Sequence, residues 1–267
     1  MKTKLFIAKE RDGMDGRFFD MDSQISALRE RESRLPAALV EEFNHRLEVS
    51  WIYHDCALEG VVLQYSEIKA AIDKKIISDV SLIPSYEEIK AFKSSIDWIK
   101  ELAPNRKRPI TIETVKKMYA LLSPGEAAKG FPFRRDNPLH RLYYHEIAPP
   151  DKILGRMKKL GEWLEEDATK RMHPVERAAR AHFRLMSIYP WAIGSGRTAR
   201  VLSNLMLLRE GYPVAIVHSI DRQRYYEALR AEHAGIIPLY VEAVATSIDT
   251  AIKFYDEAQA TVKRRAS

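Results

Sequence analysis

The chain has a single cysteine, Cys56, so no internal disulfide can form, and this fits a reducing, cytoplasmic setting. It has no uninterrupted apolar run approaching the roughly 20 residues that cross a bilayer, so no membrane partner is expected. The opening stretch Met1 to Ala8 is too short in its apolar part for a secretory signal and runs at once into Lys9-Glu-Arg-Asp12. Internal repeats and low-complexity segments are missing, which excludes a solenoid and a long disordered arm. Zinc-finger spacing, an aromatic RNA-binding signature and a convincing helix-turn-helix are missing too.

What is present is the composition of an ordinary soluble domain, 46% hydrophobic and 30% charged over 267 residues, with a net charge of +6. That charge favours anionic ligands without naming one. The basic residues are dispersed over Asn105 to Arg108, Phe133-Arg-Arg135, Lys152 to Lys159 and Lys263 to Arg265. They read as solvated faces and fraying ends, and a nucleic-acid partner is not expected.

Apolar periodicity predicts a mainly α protein, with helices near 22–32, 36–59, 66–74, 85–102, 111–122, 151–167, 174–188, 196–210, 221–233 and 235–259. Ser85-Tyr-Glu-Glu88 and Thr111-Ile-Glu-Thr114 offer capping oxygens. One stretch, 134–147, predicts a short β-hairpin, because Leu139 to Tyr144 is aromatic-rich between Asp136-Asn-Pro138 and Pro149-Pro150.

The most informative residues are Ile188-Tyr-Pro-Trp-Ala-Ile-Gly-Ser-Gly-Arg-Thr-Ala-Arg200. A glycine-rich turn, Gly194-Ser195-Gly196, opens what reads as an amphipathic helix through Val201, Leu202, Leu205, Met206 and Leu208. Backbone N–H groups at a helix N-terminus lack partners within the helix and can cradle phosphate. Arg197 and Arg200, three apart, share a face and offer forked donors. The pattern is that of an anion site.

The same residues resemble the signature loop of the Fic (Fido) family, His-Pro-Phe-x-Asp/Glu-Gly-Asn-Gly-Arg-x-x-Arg. Pro190, Gly194, Gly196, Arg197 and Arg200 match it. Tyr189 stands at the general-base histidine, Trp191 at the phenylalanine, Ile193 at the metal-binding carboxylate and Ser195 at the phosphate-holding asparagine. The likeness continues through His173-Pro-Val175, His182, Gly130 to Arg134, Tyr144 to Pro150, Asn204, Leu207 to Pro213 and Arg224 to Leu229. It implies a Fic-like helical bundle at 105–267, a substrate-positioning flap near 134–147, a signature loop at 189–200 and an N-terminal helical extension at 1–104. The flap edge would pair with an extended segment of a protein target by strand addition.

Each substitution has a chemical consequence. In the family the histidine takes a proton from a target hydroxyl that attacks the α-phosphate of ATP. A phenol with an ordinary pKa of about 10 is almost fully protonated at neutral pH and is a poor base. Isoleucine offers magnesium no oxygen ligand, so that metal is doubtful here. The expected protein is a pseudoenzyme whose nucleotide-binding residues Gly194, Ser195, Gly196, Arg197 and Arg200 survive, with ATP or another nucleotide as ligand. Two alternatives stand beside it: a transferase with altered phosphate chemistry, and an interaction module that uses the flap edge without nucleotide.

Cys56-Ala-Leu-Glu-Gly60 resembles the family's inhibitory helix motif, Ser/Thr-x-x-x-Glu-Gly/Asn, with Asp55 at the first position. The resemblance implies a helix near 50–60 in which Glu59 pairs with Arg200 and gates the pocket. The plain alternative is a helix end capped by Gly60. His173, His182, His140 and His145 lack the company of a metal site and read as structural. Tyr225 and Tyr226 read as an adenine contact or as core.

Overall fold

The computed structural model describes the backbone of residues 2–72, 83–130, 132–138 and 145–266, and side chains for these apart from 2–15, 83 and 261–266. Ten principal helices carry the fold among the described residues. They are α1 (Lys2–Glu32), α2 (Ala37–Leu58), α3 (Tyr65–Ile72), α4 (Ile83–Leu102), α5 (Ile112–Leu122), α6 (Ile153–Glu165), α7 (Pro174–Ile188), α8 (Ser195–Arg209), α9 (Arg222–Arg230) and α10 (Glu232–Ala266). Single turns at Pro124–Ala127, Pro150–Lys152, Asp167–Lys170 and Ser219–Asp221 complete the described regular structure. No strand occurs among the described residues. The flap hairpin expected at 134–147 falls largely on 139–144, outside the described residues.

Helix α8 is the axle of the molecule. It packs against α4, α5 and α7, and α7 in turn lies on α6 and α10. Every residue from Ser195 to Arg209 is buried except Leu208. The expectation of an amphipathic helix is therefore corrected, because neighbours surround α8 on all sides. Thr198, Ser203 and Asn204 on it are hydrogen-bonded within the fold, as burial demands. The Thr198 hydroxyl donates to the Gly194 carbonyl at 2.8 Å. Ser203 donates to the Arg200 carbonyl at 2.9 Å and meets the Tyr240 hydroxyl at 2.8 Å. Asn204 Nδ2 donates to the Ala215 carbonyl at 3.2 Å, and Asn204 Oδ1 accepts from Ala215 N–H at 2.8 Å.

Two helix starts differ from expectation. Helix α1 begins at Lys2, about twenty residues before the predicted 22. Phe18, Met21, Ile25 and Leu28 are all buried, and their spacing of three and four makes one continuous seam that begins N-terminal to residue 22. Helix α4 begins at Ile83, so Ser85 lies within its first turn and not at its cap. Thr111 does precede α5, and its N–H donates to Thr114 Oγ1 at 3.1 Å. Helix α10 contains a window, in Glu232–Ala260, long and apolar enough by length and composition to cross a membrane, although charged residues interrupt it. Half of that window is buried, against α7, α9 and α1, and core packing accounts for its apolarity.

The loop between α7 and α8 is anchored from below. Tyr189 ends α7 in the left-handed region, with φ 47°, and its N–H donates to the Leu185 carbonyl at 2.8 Å. Trp191 is fully buried and stacks on Tyr119 with ring centroids 4.0 Å apart and planes within 4°. Arg134 ties the loop to residues 136–137 and to Ala148. Its Nε donates to the Tyr189 carbonyl at 2.7 Å, its Nη1 to Asn137 Oδ1 at 2.6 Å and its Nη2 to the Ala148 carbonyl. In Phe133-Arg-Arg135 the expected solvated face is corrected for Arg134, which is buried and bonded to backbone oxygens and Asn137, whereas Arg135 is exposed.

Candidate anion site at the N-terminus of the central helix

Gly194, with φ 81°, is the N-cap of α8 and turns the chain from the loop into the helix. A Cβ there would lie 2.8 Å from Ser123 Oγ and 3.4 Å from Tyr119 Cε2, so both space and dihedral require glycine. Ser195 is completely buried. Its Oγ accepts from Trp191 N–H at 2.9 Å and donates to the Trp191 carbonyl at 2.7 Å, so the hydroxyl closes the loop on itself. Ile193, by contrast, is 67% exposed and offers the loop's mouth only carbon.

Arg197 and Arg200 do share a face, as their spacing predicts, and both are buried. They are not ordinary surface arginines. Arg200 Nε and Nη2 donate to Asp55 Oδ2 and Oδ1 at 2.7 and 2.8 Å, and Nη2 also donates to Glu59 Oε1 at 2.7 Å. Arg197 Nη2 donates to Glu88 on α4, and its Nε lies 3.5 Å from Asp55 Oδ1. Burial opposes the charge on Arg200, but attraction and hydrogen bonding from Asp55, with Glu59 behind it, hold its pKa well above the ordinary value. Burial likewise opposes Arg197, and Asp55 and Glu88 among its neighbours raise it. Both guanidiniums therefore stay charged. The same burial pushes the neighbouring Cys56 thiol up to about 12, which keeps it protonated and inert.

The helix end at Gly60 and the pairing of Glu59 with Arg200 occur together. Gly60, with φ 92°, closes α2: its N–H donates to the Ala57 carbonyl at 3.1 Å, and Val61 N–H donates to the Cys56 carbonyl at 2.9 Å. That double bond is a Schellman end. It leaves Glu59 projecting onto α8, where a Cβ on Gly196 would come within 2.8 Å of Glu59 Oε1. The second loop glycine thus makes room for a carboxylate at the helix N-terminus, where the dipole favours negative charge.

Sequence reasoning treated Asp55 only as a departure from a pattern and Glu88 only as first-turn acidity. Their one available signal was charge, since contacts between helices distant in sequence leave no local spacing. The other expected residues are placed plainly. His182 Nε2 bonds the Tyr225 hydroxyl at 2.9 Å, and burial, then Arg200 and His145, hold the His182 pKa well below its ordinary value. His173 Nδ1 accepts from Val175 N–H at 3.3 Å at the start of α7. His145 Nε2 contacts the Met186 carbonyl at 3.0 Å. Tyr225 and Tyr226 are buried core residues. His140 lies outside the described residues. The loop does not fit a magnesium ion: Ile193 has no oxygen, and the nearby carboxylates are engaged by arginines.

A buried helix with a glycine-rich N-terminus thus carries two arginines on one face, with a carboxylate-bearing helix laid across them. The structure matches a fragment of Fic-1 from C. elegans with a TM-score of 0.77 at 23% identity, covering 98% of this chain and 78% of that one. It matches a Fic-domain-containing signalling protein from Bacteroides thetaiotaomicron with a TM-score of 0.75 at 24% identity, covering 90% of this chain and 97% of that one. Residues 109–207 match the family model described as the Fic/DOC family, and the chain is a Fic-domain protein. It is 28% identical to the protein adenylyltransferase Fic of Culex quinquefasciatus, over 78% of this chain and 41% of that protein. It is also 28% identical to the protein adenylyltransferase fic-1 of Caenorhabditis briggsae, over 79% of this chain and 42% of that protein. The chain thus spans less than half the length of these relatives.

Proposed function

We propose that this chain is a Fic-fold regulatory protein that binds nucleotide phosphate at Gly194, Ser195, Gly196, Arg197 and Arg200, and that it lacks ordinary AMP transfer. The relatives named as protein adenylyltransferases point to ATP as the nucleotide and to a protein as the partner. One observation carries the reading: two buried guanidiniums meet at the mouth of a glycine-rich helix N-terminus, while the loop positions for base and metal ligand hold Tyr189 and Ile193.

The chemistry of those two residues supports loss of transfer. Tyr189 is buried and locked as the left-handed end of α7. An ordinary phenol is a poor base at neutral pH and cannot efficiently take a proton from a target hydroxyl. The reaction would also move phosphate charge past Ile193, which supplies nothing to neutralise it. What remains is binding, with Glu59 on Arg200 as a gate that a triphosphate must move aside.

Incubating the purified chain and a cell lysate with labelled ATP tests this. No AMP transfer above background is expected. Robust magnesium-dependent labelling, abolished by Arg197→Ala, would overturn the reading in favour of a transferase with altered chemistry.

A further inference from the structure

We infer that Glu88 is a second guard of the anion site, holding Arg197 from α4 as Glu59 holds Arg200 from α2, while Asp55 beneath them is a permanent counter-ion. The inference rests on reading the loop as a phosphate site. Its basis is the unequal exposure of three carboxylates that face two arginines. The Asp55 side chain is 1% exposed, against 23% for Glu59 and 29% for Glu88.

That difference decides which groups can leave. Asp55 lies one turn before the end of α2, bonds Arg200 at two points and reaches Arg197 as well. Withdrawing it would strand a buried cation, so it stays in every state of the folded protein. Glu59 and Glu88 have solvent on one side and can rotate outward without unfolding anything. With both in place, three carboxylates oppose two guanidiniums, and an incoming polyphosphate meets net negative charge at a site built to hold anions.

The two guards sit on different helices and bond different arginines. Displacing Glu59 frees the outer edge of Arg200 but leaves Arg197 engaged, and displacing Glu88 does the converse. Full grip on a polyphosphate therefore requires both to move. A single signal on α2 yields a partly opened site, so occupancy by nucleotide depends on two separable elements of the fold.

The test is calorimetry of ATP, ADP and AMP on the 267-residue chain and on Glu59→Gln, Glu88→Gln and the double variant, with melting curves to confirm folding. Glu88→Gln should tighten ATP about tenfold in the Glu59→Gln background, within the range of ordinary coupling between sites. The two gains should multiply, and the Glu88 gain should vanish when Arg197→Gln is added. A purely structural Glu88 would shift the melting temperature of the free protein and leave nucleotide affinity alone. If Glu59→Gln binds ATP and adding Glu88→Gln changes nothing, the second guard is wrong and the phosphate site stands. If the folded double variant binds none of the three nucleotides, the phosphate site itself falls, and the guard with it.

Discussion

Asp55 and Arg200, 145 positions apart in sequence, meet in a buried two-point ion pair at 2.7 and 2.8 Å that joins α2 to the central helix. The pair makes the N-terminal extension part of the site and not an appendage to it. Asp55 Oδ1 also lies 3.5 Å from Arg197 Nε, so the one carboxylate faces both arginines of the central helix.

Removing Asp55 should be costly, because Arg200 would be left charged and unmatched in the core. Asp55→Ala is expected to destabilise the protein by about 3–5 kcal/mol, the usual penalty for breaking a buried pair. Asp55→Asn should cost less, since one acceptor remains. Denaturant unfolding of the two variants measures this, and a loss for Asp55→Ala within the scatter of surface substitutions would show that Arg200 finds water or another partner.

Glu59 should discriminate among nucleotides by length. Glu59→Gly is expected to tighten ATP about five- to tenfold, a typical coupling, and AMP far less, because AMP has no distal phosphate to compete with the carboxylate. The retained Asp55–Arg200 pair keeps the gain moderate. Calorimetry with both ligands decides the point, and equal gains for ATP and AMP would reduce Glu59 to a helix end.

Gly196 and Glu59 should be energetically coupled. A Cβ at 196 would fall 2.8 Å from Glu59 Oε1 and 3.2 Å from Arg200 Nη1, so Gly196→Ala pushes the carboxylate off the helix mouth. In the wild-type background the change should cost about 1 kcal/mol despite alanine's better helix propensity. In a Glu59→Gly background it should be neutral or stabilising. Additive effects across that double-mutant cycle would mean that the glycine serves something other than Glu59.

On the proposed reading, AMP transfer should emerge only when both loop positions are changed. Tyr189→His alone should leave AMP transfer at background, since Ile193 still offers no oxygen to a divalent ion. Tyr189→His with Ile193→Asp should produce detectable magnesium-dependent transfer, most readily when Glu59→Gly is added. A labelled-nucleotide assay on the three proteins checks the order. Activity in the Tyr189→His single variant equal to that of the double would show that the position of Ile193 is dispensable.

Stability should fall with acidification. Burial, reinforced by His218, lowers the His54 pKa to about 4, and Ser219 N–H donates to His54 Nδ1 at 3.2 Å, a bond only the unprotonated nitrogen can accept. Burial lowers His233 to about 4 as well, with Arg180 and Arg184 adding to the effect. The native pKa lies below the unfolded value near 6.5, so the unfolded chain binds more protons between about 6.5 and 4, and stability declines as pH drops through that window. His54→Asn keeps an acceptor near Nδ1 without the titration, and its stability should vary less steeply over the same range. A pH profile parallel to wild type would remove His54 from the account.

Most helices were legible because their apolar periodicity is local: α5, α7 and α8 lie within a residue or two of their predicted limits. The earlier start of α1 was missed, and of that stretch Phe18 and Met21 join a buried seam only once there is a partner to cover them. Arg134 was misread for the same reason. A basic residue in a polar run looks solvated until the chain folds backbone carbonyls around it.

The sequence by itself determined the family resemblance of the loop, the glycine turn at 194–196, the two arginines on one face and the identities of Tyr189 and Ile193 within the loop. These are properties of residue identity and short spacing, which need no partner to be read. The tertiary structure alone decided that Arg197 and Arg200 are buried, that Asp55 and Glu88 join Glu59 against them, and that α8 is enclosed on every side. Those facts belong to contacts across 109 to 145 positions, and the attraction between charges so distant along the chain exists only once packing has brought their helices together and excluded water between them.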